Sequence, residues 1–390
     1  MGYGHGYDPG AVTTPPELTP ARVEGLYIHV PFCRRKCGYC DFYSVVAGGD
    51  EHRRFAARLI DEAHAASALA RGPVRTVFVG GGTPTVLSGA LWAQILGELR
   101  RAFDLSALDE FTFEANPETV DADLVQTLAA CGADRLSIGA QSCHPRHLRT
   151  LDRAHDPESV RRAVSAAHAC GIGNVSLDLI FGIPGEALDE WAADLDAALE
   201  LAPSHLSCYG LTYEEGTLIA RRVAQGRLRP CDEDTEAAMY EMAIRRLSAA
   251  GFEHYEVSNF ARPGRRCLHN MLYWTNANWL GLGPAAASHV DGVRWKNAPD
   301  LMRYLESEGR APVAEVEKLP PDASFGEQLM LRLRLIEGAP VDWLEPRLDD
   351  RRSAVIAGFE AEGLLERTPT HLRLTRRGLL VADTVVSELL

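Results

Sequence analysis

From Leu26 to Leu211 short apolar runs alternate with longer stretches in which apolar positions return with helical spacing. The short runs, β-branched or aromatic in character, predict strands at Leu26–Val30, Thr76–Val79, Phe111–Glu114, Arg135–Ile138, Val175–Ile180 and His205–Leu211. Amphipathic segments near 51–70, 89–102, 121–130, 157–170, 187–200 and 233–250 are each long enough for a crossover helix. Such alternation predicts an α/β fold with a parallel sheet and helices outside it, either a partial barrel or a flat doubly wound sheet. Beyond residue 320 the pattern changes. Helices at Phe325–Leu335 and Ser353–Glu362 precede a hairpin, Leu364–Arg367 with Leu372–Thr375, and a last helix at 377–389, the order of a winged-helix-like α+β cap. The expected division is a mobile tail at 1–24, the six-unit domain at 25–252, an extension at 253–320 and the C-terminal domain at 321–390.

Composition narrows the function classes. The 390 residues carry a net charge of −14, which argues against nucleic acid or an anionic membrane surface as a general partner. No apolar run is long enough for a membrane span, and the Gly-, Pro- and Thr-rich start has neither the basic end nor the apolar centre of a secretory signal. Nine cysteines, an odd number, fit a reduced cytoplasmic protein better than a disulfide framework. Six of them, including Cys143, read as small core or surface residues.

The other three do not. Cys33, Cys37 and Cys40 stand at Cys-x3-Cys-x2-Cys spacing directly after the first strand. Thiolates suit zinc or iron–sulfur clusters, and three in one loop can converge on one centre. The set is compatible with zinc completed by His29, or with a cubane that keeps one iron open. In a barrel, functional groups gather after the C-terminal ends of the strands. The second strand runs into Gly80-Gly81-Gly82-Thr83-Pro84, the third ends at Glu114, the fourth is followed by Gln141, the fifth carries Asp178, and the sixth runs into Thr212 and Tyr213. Carboxylates in otherwise apolar strands are uncommon without a partner, and a ribose hydroxyl or a sulfonium cation is a suitable one.

The cysteine spacing, with Tyr27-Ile28-His29-Val30-Pro31-Phe32 before it and Asp41-Phe42-Tyr43-Ser44 after it, resembles the radical S-adenosylmethionine family, in its oxygen-independent coproporphyrinogen III oxidase-like branch. Gly81-Gly82-Thr83-Pro84 and Asp178-Leu179-Ile180-Phe181-Gly182-Ile183-Pro184 resemble further segments of that family, in the same order. The resemblance implies a (β/α)6 partial TIM-type barrel and a [4Fe–4S] cluster on Cys33, Cys37 and Cys40, whose fourth iron takes S-adenosylmethionine. It further implies that Tyr27, Tyr39, Gly81, Gly82, Thr83, Glu114, Gln141, Arg153, Asp178 and Thr212 contact S-adenosylmethionine, with Gln141 and Arg153 facing a second molecule of it. Arg153 could equally pair with Asp152 or Asp156.

His269-Asn270-x-x-Tyr273-Trp274 resembles the signature of the heme-chaperone branch of the family. Imidazole is a common heme ligand, and Tyr and Trp offer flat apolar surface, which makes His269 the candidate ligand beside His254 and His289. The bland reading is that His269 and Asn270 hydrogen-bond the fold. On this resemblance the function is binding of a cluster, S-adenosylmethionine and heme, with delivery of heme to acceptor proteins, membrane-associated cytochromes among them, and an electron donor for the cluster. The alternative is oxidative decarboxylation of coproporphyrinogen III. It is weakened because the oxidases resemble Cys-x3-Cys-x2-Cys-x-Cys, and Phe42 occupies the place of their additional cysteine. A zinc-dependent DNA regulator using the C-terminal domain fits neither the glycine loop nor the charge.

Overall fold

The computed structural model describes residues 14–390. Its centre is a run of six neighbouring parallel strands, β1 (Gly25–Val30), β2 (Thr76–Gly81), β3 (Glu110–Ala115), β4 (Arg135–Gln141), β5 (Asn174–Phe181) and β6 (His205–Gly210). Helices Gly49–Ala66, Gly89–Ala102, Ala122–Ala130, Pro157–Ala169, Leu188–Glu200 and Glu233–Ala249 supply the crossovers and the outer packing. The fold is thus the expected α/β partial barrel. Its sheet extends on both sides with β7 (Glu253–Glu256), β8 (Asn259–Ala261), β9 (Trp279–Leu282), β10 (Ala287–Val290), β11 (Val293–Asn297) and β12 (Val313–Lys318), in the order β12-β11-β10-β9-β1-β2-β3-β4-β5-β6-β8-β7.

Side chains alternate across each strand, and this fixes what faces inward. Leu26, Ile28, Val30, Val77, Val79, Phe111, Phe113, Leu136, Ile138, Val175, Leu177 and Leu206 join the apolar core against the helices. The other parity carries Tyr27, His29, Phe78, Thr112, Glu114, Arg135, Ser137, Ser176, Asp178, His205 and Ser207. Register aligns them in rows: Tyr27 opposes Phe78, Phe78 opposes Thr112, Glu114 opposes Ser137, and Asp178 opposes Ser207.

The helix Leu268–Trp274 closes the N-terminal end of this interior. Glu110, at the start of β3, accepts hydrogen bonds from the amides of Leu268 (2.8 Å) and His269 (3.1 Å), filling the role of a cap and placing negative charge at the helix N-terminus. Nearby, Tyr255 Oη meets His205 Nε2 at 2.8 Å and accepts from the Cys267 amide at 3.2 Å. The extension is tied down by a second buried carboxylate, Glu62, which receives the Gly283 amide, the Asn297 amide group and the Tyr304 hydroxyl.

Two expectations need correction, and two short helices were not anticipated. The tail expected through residue 24 is part of the fold where it is described: Ala21–Arg22 pairs with Ala70–Arg71, and Val23 is fully buried. Residues 1–13 of that stretch lie outside the described residues. The last helix divides into Arg376–Leu380 and Ala382–Ser387 where Val381, a β-branched residue of lower helix propensity, leaves helical geometry at φ −125°, ψ 29°. Short helices Pro145–Thr150 and Leu218–Ala224, unmarked by periodicity, flank the cysteine loop. The C-terminal domain has its own core of Leu329, Leu333, Leu344, Ile356, Leu365, Leu372 and Val385, and its hairpin gains a third strand from Ala339–Pro340.

Replacing Glu110 with Ala leaves two amide donors without their partner, so the expected loss is about 2–4 kcal/mol, with Glu110→Gln losing roughly half as much. Urea unfolding followed by circular dichroism measures both; an Ala variant as stable as the wild type contradicts the capping role.

Candidate active site at the mouth of the barrel

The cysteine loop is held at both ends and in the middle. Cys33 N donates to Val45 O (3.0 Å), Val45 N to Pro31 O (2.7 Å), Gly38 N to Leu151 O (3.1 Å), and Ile219 N to Gly38 O (2.8 Å). Two donors are aimed at the sulfurs: Thr83 Oγ1 at Cys33 Sγ (3.4 Å) and Arg153 Nη1 at Cys37 Sγ (3.5 Å). Asn116 joins them, donating to Thr83 Oγ1 (2.9 Å) while accepting from Arg153 Nη2 (2.9 Å). A continuous belt therefore runs from Cys33 through Thr83, Asn116 and Arg153 to Cys37. Donors of this kind would orient and tune a metal centre held by those sulfurs.

His29 takes no part as a fourth ligand. Its Nε2 lies 2.9 Å from Tyr43 O and its Nδ1 3.1 Å from Tyr27 Oη, so both ring nitrogens are engaged in the fold. Burial first of all lowers its pKa to about 4. Burial also pushes the Cys40 thiol up to about 11, and a metal must displace that proton to bind. Three thiols with no fourth ligand from the adjacent histidine fit a cubane with one open iron better than a closed zinc site.

Beside the loop opens a cavity of about 1080 Å³. Cys37 and Cys40 lie at one part of its wall; Tyr27, Phe78, Tyr273, Trp279 and Trp295 form an aromatic part; and Glu114, Arg135, Ser137, Asp178 and Ser207 form the polar floor. Glu114 Oε2 accepts from the Gly81 amide at 3.1 Å, and Ser137 Oγ donates to Asp178 at 3.2 Å. Burial, reinforced by the Asp178 charge, raises the Glu114 carboxyl to about 8. Asp178 is raised too, chiefly by burial, against hydrogen bonds from Ser207 and Ser137.

The residues singled out from sequence divide into three groups. Tyr27, Glu114, Asp178, Cys37 and Cys40 face the cavity, while Cys33, Thr83 and Arg153 belong to the belt behind it. Arg153 pairs with neither Asp152 nor Asp156: Asp152 is engaged by Arg222 (2.8 Å) and Arg35 (3.4 Å). Tyr39 packs with Leu151, Ile180, Ile183, Leu211 and Ile219. Gln141, with φ 64° at a bulge between β4 and β5, is buried next to Gly139 and Arg153. The glycine loop has its amides occupied by the fold, Gly81 to Glu114, Gly82 to Val30 O and Thr83 to Phe32 O. Its glycines are explained by close approach, since a Cβ on Gly82 would lie 2.6 Å from Phe32 O, and Gly81 has φ 101°. Thr212 is exposed, and the wall at that place is made instead by Tyr209 and Glu214–Leu218.

His269 is fully buried, its Nδ1 2.8 Å from Thr76 Oγ1 and its Nε2 2.8 Å from Tyr273 Oη, with its ring stacked on Phe78. The expected open heme ligand is therefore a hydrogen-bonded part of the barrel plug; only Asn270 and Tyr273 of that helix face the cavity. Trp274 points to Arg334, whose guanidinium lies 4.9 Å from its ring. His254 Nε2 is 3.2 Å from Val257 O, and His289 Nδ1 is 2.9 Å from Ala277 O. Asn116, Arg135, Ser137 and Ser207 were missed. Alternation would have found three of them, since they occupy the same strand faces as Glu114 and Asp178.

Comparisons with known proteins bear on the family and the fold. Residues 27–198 match the radical SAM superfamily, and residues 319–381 match the HemN C-terminal domain. The fold matches the solved coproporphyrinogen III oxidase HemN of Escherichia coli with a TM-score of 0.82, at 22% identity, over 95% of this chain and 90% of that one. A radical SAM protein with a HemN-type C-terminal domain is the class so defined. Across 377 residues, 95% of this chain and 96% of the relative, the sequence is 42% identical to the heme chaperone HemW of Mycobacterium tuberculosis. It is 35% identical to heme chaperone HemW of Escherichia coli K12, over 93% of this chain and 96% of that one. The chain belongs to the HemW family. The superfamily implies a [4Fe–4S] cluster and S-adenosylmethionine as cofactors, in keeping with the three thiols.

Glu114 also gives a pH test. Its folded pKa of about 8 lies above the ordinary value of 4.5, so the folded chain holds a proton that the unfolded chain releases. The Glu114 contribution is therefore lost as pH rises from 4.5 to about 8 and is constant above that. The stability difference between Glu114→Gln and wild type should shift in favour of the variant across that window; a difference independent of pH contradicts the buried environment.

Proposed function

We propose that the chain binds heme in the barrel-mouth cavity, beside a [4Fe–4S] cluster on Cys33, Cys37 and Cys40, and delivers it to acceptor proteins. The observation that carries this reading is the single cavity wall that combines cluster-loop cysteines with a broad aromatic face, Tyr27, Phe78, Tyr273, Trp279 and Trp295, in a chain similar to heme chaperones along nearly its whole length. The cluster, when bound, supplies a one-electron reductant with an iron open to the amino and carboxylate groups of S-adenosylmethionine. The residues of the chain do the rest. Thr83 and Arg153 direct hydrogen bonds at the thiolates, Glu114 and Asp178 offer acceptors for ribose hydroxyls, and Lys36, Arg221 and Lys296 bring positive charge to the wall, where propionates can pair with it.

His269 remains the proposed iron ligand in the form the geometry permits. Tyr273 Oη, which faces the cavity, occupies its Nε2, so coordination requires Tyr273 to swing away. The acceptors proposed are membrane-associated cytochromes, reached from the cytoplasmic side and with a protein electron donor for the cluster; no helix among the described residues is long and apolar enough to cross a membrane. Coproporphyrinogen decarboxylation is a second reading, favoured by the fold match to HemN and opposed by Phe42 at the cavity edge.

Anaerobic titration of cluster-loaded protein with hemin, followed at the Soret band, separates these ideas. Saturation near one equivalent is expected, lost or markedly weakened in His269→Ala and at least as tight in Tyr273→Phe, which frees Nε2. Unsaturable binding indifferent to both variants contradicts heme ligation at this helix, and turnover of coproporphyrinogen III under the same conditions would favour the decarboxylase.

A further inference from the structure

On the outer side of the barrel, away from the cavity, the loop after β4 meets helix Leu188–Glu200. There Cys143, His144 and Asp194 bring sulfur, imidazole and carboxylate donor atoms within 4.8 Å of one another, the one such group of three found among the described residues. Asp194 is 1% exposed. Its Oδ1 accepts the Cys143 amide at 2.6 Å and the Cys143 thiol is directed at the same carboxylate, while its buried Oδ2 makes no hydrogen bond of ordinary geometry. His144 Nε2 lies 3.9 Å from Asp194 Oδ1 and 3.2 Å from Glu190 O. His147, one turn on, is 1% exposed, and its Nε2 likewise lacks a hydrogen bond, lying 3.4 Å from Glu190 Oε2 without suitable direction. Glu186 Oε1 is a third buried polar atom nearby left without a partner.

Buried carboxylates and imidazoles without partners are costly, and several of them in one place point to a missing cation. The neighbouring cationic side chain, Arg146, is taken up by Glu190 and Gly185 O on the exposed side. Zinc takes sulfur at about 2.3 Å and nitrogen or carboxylate oxygen at about 2.0–2.2 Å, so donors spaced as here need only a small inward shift to surround it. Soft sulfur mixed with imidazole and one carboxylate selects zinc over magnesium or calcium.

We propose that Cys143, His144 and Asp194 bind a zinc ion that staples the loop after β4 to helix Leu188–Glu200, with His147 or water as the fourth ligand. On binding, the Cys143 thiol releases its proton to solvent, and no electron is transferred. The site is separate from the cluster loop. Through Ser142 it adjoins Gln141, so the metal would also hold the bulge that carries Gln141 in its positive-φ conformation.

The test uses the full chain with its cluster loaded, so that Cys33, Cys37 and Cys40 are occupied, after adventitious metal has been removed. Calorimetric titration with zinc sulfate, with cluster absorbance recorded in parallel, should show one equivalent bound without loss of the cluster. X-ray absorption at the zinc edge should show a single sulfur among nitrogen and oxygen ligands. Cys143→Ser, at a partly exposed position, and Asp194→Asn should each weaken binding by at least about tenfold. Absence of zinc binding, equal affinity in both variants, or a zinc environment of three sulfurs would overturn the assignment.

Discussion

The structure depends on the cost of desolvating charge inside a parallel sheet. With both faces of the six central strands covered, one parity must satisfy the apolar helices and the other must face whatever lies within. Here the inner parity bears Glu110, Glu114, Arg135 and Asp178, groups that cannot remain buried without hydrogen bonds, opposite charge or a ligand. Each end of the barrel answers this differently. At the N-terminal end the chain supplies the partners itself, and at the C-terminal end it leaves them facing a cavity.

The closed end explains why the His269-to-Trp274 segment is where it is. Glu110 caps the helix, Thr76 and Tyr273 hold the His269 ring, and Tyr255 joins His205 to the start of the helix. The open end inverts this economy of contacts. Glu114 has the Gly81 amide and Asp178 has serine hydroxyls, both weak compensation for burial, and their protonation is accordingly favoured. A cofactor bearing hydroxyl and cationic groups relieves this cost, and the thiols beside it are already addressed by the belt of Thr83, Asn116 and Arg153. Stability given up at the mouth is thus linked to ligand binding there.

Most of the central fold was legible because each strand and helix there is long enough to show its period. The six strands and their crossovers follow from alternation alone, and Glu114 and Asp178 could be placed at the mouth because they interrupt apolar strands. The extension was not legible. Strands such as Trp279–Leu282 and Ala287–Val290 have four residues each, too few for a period, and Gly281 is there because the Ala287 carbonyl crowds it. The His269 environment was invisible for another reason: Tyr273 is one turn on in the same helix, but Thr76 and Phe78 become neighbours only when that helix folds back under β2. Asn116 and the Cys143 cluster share that character, since Thr83, Arg153 and Asp194 reach them from distant parts of the chain. Thr212 stands exposed beyond the strand end, and the cavity wall near it is made by Glu214 to Leu218.

The most direct measurement is the electron paramagnetic resonance spectrum of the reduced, cluster-loaded chain before and after addition of S-adenosylmethionine. With three cysteine ligands and one open iron, the g values must change when S-adenosylmethionine coordinates, and Asp178→Asn should raise the concentration needed for that change. An unaltered spectrum at saturating S-adenosylmethionine would contradict an open iron facing this cavity.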